Sequence, residues 1–224
     1  MEEKIEVLGI RMDCFSAKEA MLCAMQFLET DSVDTIEIMT MDTLINCRDD
    51  EEWTARISEL KTVLPGEAEI LEAADIHDAA KLRETDSGVF LRMFMKYLQK
   101  NRKRIYFLAE TEEELEQTES AVRRYNRGIC ISGHALISRE SGREEEVIND
   151  INGTETDCVL SVLSSPYQET FIASYRTLLN AKVWFGCGPM LARSYDDRRV
   201  FQKIRHFFRK TTFRRQVGRQ QKEK

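Results

Sequence analysis

A chain of 224 residues can bury the core of one domain of ordinary to large size. Its 42% hydrophobic and 32% charged residues exclude a disordered or fibrous protein, and no apolar run approaches the roughly 20 residues of a membrane-spanning helix. The net charge of −6 conceals an asymmetry, since residues 193–224 hold twelve Lys and Arg against three Asp and Glu. We therefore predict an acidic α/β domain over residues 1–192 and a basic helical tail over residues 193–224.

The chain begins with a strand-like pattern followed by a helical one. Residues 5–10 are predicted to form a single strand, and the capping box Ser16-Ala17-Lys18-Glu19 marks the start of a helix. The acidic start MEEKIEV does not have the positive and then apolar character of a secretory signal. We therefore expect a cytosolic protein that opens with a β-then-α unit.

Strand and helix patterns continue to alternate up to residue 100. The region from Asp75 to Gly88 reads as irregular, and the helix after it is expected to bury a stripe of large side chains. The stripe consists of Phe90, Met93, Phe94, Tyr97 and Leu98. The other elements predicted here are a strand at 35–40, helices around Leu44 and Trp53, a strand from Thr62 that Pro65-Gly66 stops, and a helix at 67–74.

The second half of the chain has a regular βαβαβαβ pattern. Its predicted strands are 104–109, 128–132, 158–163 and 181–186, and its predicted helices start at Thr111 and cover 144–151 and 166–178. Short connections of this kind imply a mainly parallel sheet with right-handed crossovers, and hence a Rossmann-like layered α/β fold. A ligand site is then expected in the loops at the carboxyl ends of the strands.

Several polar residues stand at these predicted strand ends. Thr40 and Asp42 follow one strand, Gly66 and Glu67 the next, and Ser164, Ser165, Gln168 and Glu169 a third. Gly186 opens a Gly-Cys-Gly turn that is compatible either with a phosphate contact or with a simple tight turn. Ser164 and Ser165 are likewise compatible either with an anion-binding helix N-terminus or with ordinary capping of the helix that follows.

The usual signatures of nucleotide, hydrolase and metalloprotease sites are absent from the sequence. The six cysteines are scattered without a CxxC pair, and the three histidines have no ligand spacing. We therefore expect free thiols and no metal or other cofactor.

The order and spacing of the polar segments resemble the WecG/TagA/CpsF glycosyltransferases over most of the chain. The most specific part is a Pro-x-Gln-Glu segment followed by an aromatic-Ile pair, here Pro166 to Ile172. The other matching segments are Val7 to Ile10 with Asp13, Thr40-Met41-Asp42, Val63 to Gly66, and Ile148 to Asn152 with Asp157 and the strand from Val159 to Leu163.

This resemblance implies an inverting transfer of an N-acetylmannosamine-type sugar from a UDP-sugar to an undecaprenyl-diphosphate-linked acceptor. It implies that Thr40 acts in catalysis and that Asp42, Arg83, Gln168 and Glu169 contact substrate. From their positions in the strand-end loops, Gly66, Ser164, Ser165 and Gly186 are expected to contact substrate as well. Homo-oligomers are a further implication.

The chain departs from the family at the expected general base. Pro65-Gly66-Glu67 stands where the family has Pro-Asp-Gly, so Glu67 takes the role by a shift of one residue or is only a carboxylate favoured by the dipole of a helix start. The alternative to a transferase is a non-catalytic protein with the same fold, which either binds a nucleotide sugar or serves as a scaffold.

The tail is predicted to form a cationic amphipathic helix that lies on an anionic membrane surface at the inner face of the cell membrane. Alternatively, the tail forms a helix that packs on the α/β domain. Nucleic acid is disfavoured as a partner because the domain formed by residues 1–192 is acidic. The residues expected to bind the membrane are Phe201, Lys203, Arg205, Phe208, Arg209, Lys210, Arg214 and Arg215.

Overall fold

The structure, a computed structural model, describes residues 4–195 together with Phe213, Val217 and Gly218. The strands are β1 (Lys4–Val7), β2 (Ile10–Asp13), β3 (Asp34–Met39), β4 (Thr62–Pro65), β5 (Arg104–Ala109), β6 (Cys130–Leu136), β7 (Cys158–Ser161) and β8 (Val183–Gly186). The helices are α1 (Ala17–Phe27), α2 (Met41–Cys47), α3 (Glu51–Glu59), α4 (Ala68–Ala73), α5 (Ala79–Asp86), α6 (Val89–Lys100), α7 (Glu112–Tyr125), α8 (Glu144–Gly153), α9 (Tyr167–Tyr175) and α10 (Met190–Ser194).

Six of these strands form one sheet in the order β4-β3-β8-β7-β5-β6, and every neighbouring pair is parallel. Helices α1, α6, α7 and α10 bury their apolar residues on one face, and α8 and α9 on the other. Because both faces are covered, the central strands β3, β7 and β8 are buried along their whole length. The predicted parallel α/β fold is confirmed.

The predicted single strand at residues 5–10 is wrong. β1 and β2 form an antiparallel hairpin in which Val7 pairs with Ile10, and it lies outside the large sheet. The two turn residues, Leu8 and Gly9, both have positive φ, of 53° and 82°. Such a two-residue turn reverses the chain with a twist that matches the strands on either side.

The region predicted as irregular is wrong in part, because it contains α5. Asp78 caps this helix by accepting hydrogen bonds from the backbone N–H groups of Ala80 and Lys81, at 2.8 and 3.1 Å. The stripe on α6 also needs correction, since Leu91 and Met95 are buried whereas Met93 is exposed. Both capping boxes, at Ser16 and Thr111, are confirmed.

A separate apolar cluster lies beside the β4 edge of the sheet. It joins the hairpin to α2, α3 and α4, and Phe213 is completely buried in it. None of the helices within the described residues combines the length and the apolar character needed to cross a membrane.

Candidate active site

A cleft with a volume of about 190 Å³ opens at the carboxyl ends of β3 and β7, beside the loop that follows β8. In a parallel sheet this edge is where ligands bind, because the loops after neighbouring strands diverge there. Five residues predicted from the sequence line the cleft. They are Thr40, Asp42, Ser164, Ser165 and Gln168.

Thr40 is held in place as the residue that caps α2. Its side-chain oxygen accepts a hydrogen bond from the backbone N–H of Thr43 at 3.1 Å and lies 3.0 Å from the Thr43 hydroxyl. Asp42 lies in the first turn of the same helix. The start of α2 therefore places two polar side chains on the wall of the cleft.

Glu67 occupies the N-cap position of α4 without a capping hydrogen bond from its side chain, and it is buried, with 7% of its surface exposed. Its Oε2 accepts a hydrogen bond from the backbone N–H of Met41 at 2.7 Å, and its Oε1 lies 3.8 Å from Nη1 of Arg193. Arg193 itself lines the cleft. The carboxylate is thus placed directly behind the start of α2, between the Thr40 segment and a guanidinium group.

The loop after β7 is anchored through its two serines. Ser164 donates from both its backbone N–H and its hydroxyl to Oε1 of Glu110, at 2.9 and 2.5 Å. Ser165 donates to Oε1 of Glu169 at 2.6 Å and precedes a cis peptide bond to Pro166. These bonds hold the predicted Ser-Ser-Pro segment against two separate carboxylates.

The floor of the cleft contains a carboxyl group that the sequence analysis did not single out. Glu37 lies in β3, is 2% exposed, and accepts a hydrogen bond through Oε1 from Nε2 of Gln168 at 2.5 Å. Burial raises the pKa of Glu37 well above its usual range, and the neighbouring Glu169 adds to the rise. Burial therefore favours the uncharged carboxylic acid form of Glu37.

Glu169 and Gly186 lie behind this floor. Burial also raises the pKa of Glu169, while the hydrogen bond from Ser165 opposes the rise. A Cβ atom on Gly186 would lie only 2.0 Å from Oε2 of Glu37. Gly186 therefore makes room for the Glu37 carboxyl group, a role different from the predicted phosphate contact.

Gly66 and Arg83 are not brought to the cleft. Gly66 donates its backbone N–H to the carbonyl oxygen of Met39 at 2.8 Å, and a Cβ atom there would lie 2.9 Å from the same oxygen. It is required for the close approach of β4 to β3. Arg83 is exposed on α5, where its Nε donates to the carbonyl oxygen of Ala79 at 3.0 Å.

The predicted membrane-binding residues, Phe201, Lys203, Arg205, Phe208, Arg209, Lys210, Arg214 and Arg215, lie outside the described residues. Their proposed role remains a prediction.

Sequence reasoning missed two residues of the site, Glu37 and Arg193. The signal for Glu37 was available, because a charged residue in the middle of the apolar strand Thr35-Ile36-Glu37-Ile38-Met39 needs a specific partner. Arg193 lies just beyond the predicted domain boundary at residue 192 and was counted with the tail.

A larger cleft of about 1010 Å³ adjoins the first one. The two clefts share Leu163, Ser164, Pro189 and Arg193. The larger cleft runs along α7 and contains Arg124 and the stacked rings of Tyr125 and Tyr195, whose centroids are 4.7 Å apart. Two adjoining clefts provide space for two substrates.

Residues 5–194 match the model of the glycosyl transferase WecG/TagA/CpsF family. The chain belongs to this family. The match covers every strand of the large sheet and all the residues that line the smaller cleft. None of the curated proteins matches this glycosyl transferase.

Proposed function

We propose that this glycosyl transferase moves an N-acetylhexosamine of the N-acetylmannosamine type from a UDP-sugar to an undecaprenyl-diphosphate-linked sugar, with inversion. Family membership supports the reaction class and a place in the synthesis of surface polymers. The observation that carries the finer proposal is the position of Glu67 between the start of α2 and Arg193.

Glu67 is proposed as the general base. An N–H donor and a guanidinium group both stabilise the charged form of a carboxylate, which is the form that accepts a proton. Inversion requires such a group to take the proton of the attacking acceptor hydroxyl. Thr40 and Asp42, on the adjoining wall, are proposed to bind the sugar and the diphosphate through hydrogen bonds, with Arg193 as the cation.

The two substrates are proposed to occupy adjoining clefts. The side chains proposed to act on them are neutral donors and acceptors, carboxylates and an arginine, which can bind sugars and a diphosphate directly. We propose no metal or other cofactor. We further propose that the enzyme acts as a homo-oligomer at the inner face of the cell membrane and does not bind nucleic acid.

The membrane proposal rests on the charge of residues 193–224. Because Phe213 is part of the core, the tail is better tested by substitution than by deletion. Replacing Lys203, Arg205, Arg209 and Lys210 by Gln is expected to abolish flotation with anionic vesicles. Flotation equal to that of the unchanged chain would exclude these residues as the membrane contact.

The transfer proposal is tested with the full chain, UDP-N-acetylmannosamine and an undecaprenyl-diphosphate-linked N-acetylglucosamine. Glu67→Gln is expected to lower kcat by about 10²- to 10⁴-fold, the usual contribution of a general base. Glu69→Gln is the matched control, since Glu69 is an equally buried carboxylate two residues later, whereas the bond to the Met41 N–H at the start of α2 is made by Glu67.

A Glu67→Gln variant as active as the unchanged enzyme would remove Glu67 from the mechanism. If the unchanged enzyme neither turned over nor bound the UDP-sugar, the chain would be a scaffold rather than a transferase.

A further inference from the structure

The side chains of Glu37 and Gln168 form a buried pair at the floor of the cleft. They come from β3 and α9, lie 131 positions apart in the sequence, and are each 2% exposed. The bond from Gln168 Nε2 to Glu37 Oε1 is 2.5 Å long. A short bond between two buried groups from separate elements fixes the rotamers of both side chains.

The neighbouring strand leaves room for this pair. Glu37 is paired in register with Gly186 of β8. A Cβ atom at position 186 would lie 2.0 Å from Glu37 Oε2, 2.6 Å from its Cδ and 2.8 Å from Gln168 Nε2. A side chain at this position would therefore displace both members of the pair, which only glycine tolerates.

The surroundings of the pair favour an uncharged acid at position 37. The titratable groups that face it are Glu169 on α9 and Cys187 after β8. Arg56 acts on Glu169, and Arg193 lines the same cleft, but within the described residues neither forms an ion pair with Glu37. Without a cation, burial favours the protonated form of the carboxyl group and raises its pKa.

The bond to Glu37 determines which atom of Gln168 remains for a ligand. Nε2 is committed to Glu37, whereas Oε1 is buried and has no hydrogen-bond partner among the described residues. A buried acceptor without a partner is costly unless a ligand supplies a donor. The matching groups on a sugar are a hydroxyl and the N–H of an acetamido substituent.

We propose that Glu37 is a positioning residue that fixes the amide of Gln168, so that its carbonyl oxygen accepts a hydrogen bond from a hydroxyl or acetamido N–H of the sugar substrate. This inference rests on the proposed function, because it assigns a role in binding the sugar to the same cleft. Glu37 acts through Gln168 and does not itself touch the reacting atoms.

A double-mutant cycle tests the proposal. Glu37→Leu and Gln168→Leu are each expected to raise KM for UDP-N-acetylmannosamine about tenfold, the effect of one lost hydrogen bond. The double variant is expected to be no worse than Gln168→Leu, because both substitutions remove the same contact. Glu37→Gln, a neutral isostere, is expected to retain KM within about twofold.

Two results would overturn the role of Glu37. One is a double variant whose losses multiply to about a hundredfold. The other is a Glu37→Gln variant as impaired as Glu37→Leu.

A measurement independent of activity separates this inference from the proposed function. In ¹⁵N-labelled protein, the side-chain amide signal of Gln168 is assigned by its loss in Gln168→Leu. It is expected to shift in Glu37→Leu and to keep its position in Glu37→Gln. If the Gln168 signal does not shift in Glu37→Leu, Glu37 does not position Gln168. If instead the enzyme without substitutions shows no turnover, that result counts only against the proposed transfer reaction.

Discussion

Two carboxyl groups on the same strand have opposite environments. Asp34, at the amino end of β3, accepts bonds from the Lys61 ammonium group at 2.7 Å and from the Thr30 hydroxyl at 3.0 Å. Glu37, three residues later, has the neutral amide of Gln168 and a second oxygen without a hydrogen-bond partner among the described residues. Both oxygens of Asp34 therefore have donors, whereas Glu37 has one oxygen without a hydrogen-bond partner among the described residues and no ion pair there.

The same difference appears along β7. Before this strand, Asp157 accepts a hydrogen bond from the backbone N–H of Arg104 at 2.7 Å and lies 3.3 Å from the Lys103 ammonium group. Beyond it, Glu169 is buried, with one oxygen bonded to Ser165 and no ammonium or guanidinium group within ion-pair distance among the described residues. One end of the sheet is thus built for stability, and the other keeps polar atoms for a ligand.

The first prediction, with the largest expected effect on stability, concerns the packing of β3 and β8 where they border the cleft. Gly186→Ala is expected to lower the free energy of unfolding by about 3 kcal/mol, the cost of overpacking, because its Cβ atom would overlap the Glu37 carboxyl group. Urea unfolding measures the change. Gly153→Ala is the control, since a Cβ atom there meets nothing within 4 Å. Equal stability of both variants would mean that Glu37 does not need this space.

A second prediction concerns the ionisation of Glu37. Unfolded Glu37 ionises near its usual pKa, whereas burial raises the pKa in the fold, so the folded state binds one more proton between the two values. Stability is therefore lost as pH rises towards the folded pKa, by about 1.4 kcal/mol for each pH unit. Glu37→Gln removes this loss, so its advantage over the unchanged chain should grow with pH.

Urea unfolding at about pH 6, 7 and 8 measures this difference. The exposed Glu116→Gln is the control and is expected to show no such trend. A constant difference between Glu37→Gln and the unchanged chain would show that Glu37 is already ionised in the fold.

The smallest effect is expected at the amino end. Lys61→Ala removes the ion pair with Asp34 and the contact with the Phe27 ring, but the Lys61 side chain is 52% exposed. Exposed pairs contribute less than about 1 kcal/mol, and salt screens them. Thermal unfolding at low and high salt, compared with the exposed Lys96→Ala, should give a small loss that shrinks with salt. A loss as large as that of Gly186→Ala would remove the distinction between the two ends.

The parallel sheet could be predicted because β5 to β8 alternate with helices that have clear capping signals. The hairpin could not, since Leu8 carries no turn signal and adopts a positive φ that is uncommon for a branched residue. Helix α5 was missed because it buries no residue completely and so lacks hydrophobic periodicity.

The candidate site could be predicted to the level of its loops. Thr40, Asp42, Ser164, Ser165 and Gln168 follow strands, and the carboxyl ends of parallel strands meet at one edge. The bond between Glu37 and Gln168 depends on which strands become neighbours in the sheet. The strand order β4-β3-β8-β7-β5-β6 cannot be predicted from local sequence patterns, so this bond could not be predicted either.

The burial of Phe213 beside the hairpin has a consequence for the order of folding during synthesis. Residues Ile5 to Cys14 are synthesised before Phe213, yet the apolar cluster that covers them contains this side chain, about 200 positions later. Contacts of such long sequence separation form late and slow the folding of a chain. The apolar side of the hairpin is therefore fully covered only after position 213 has been translated.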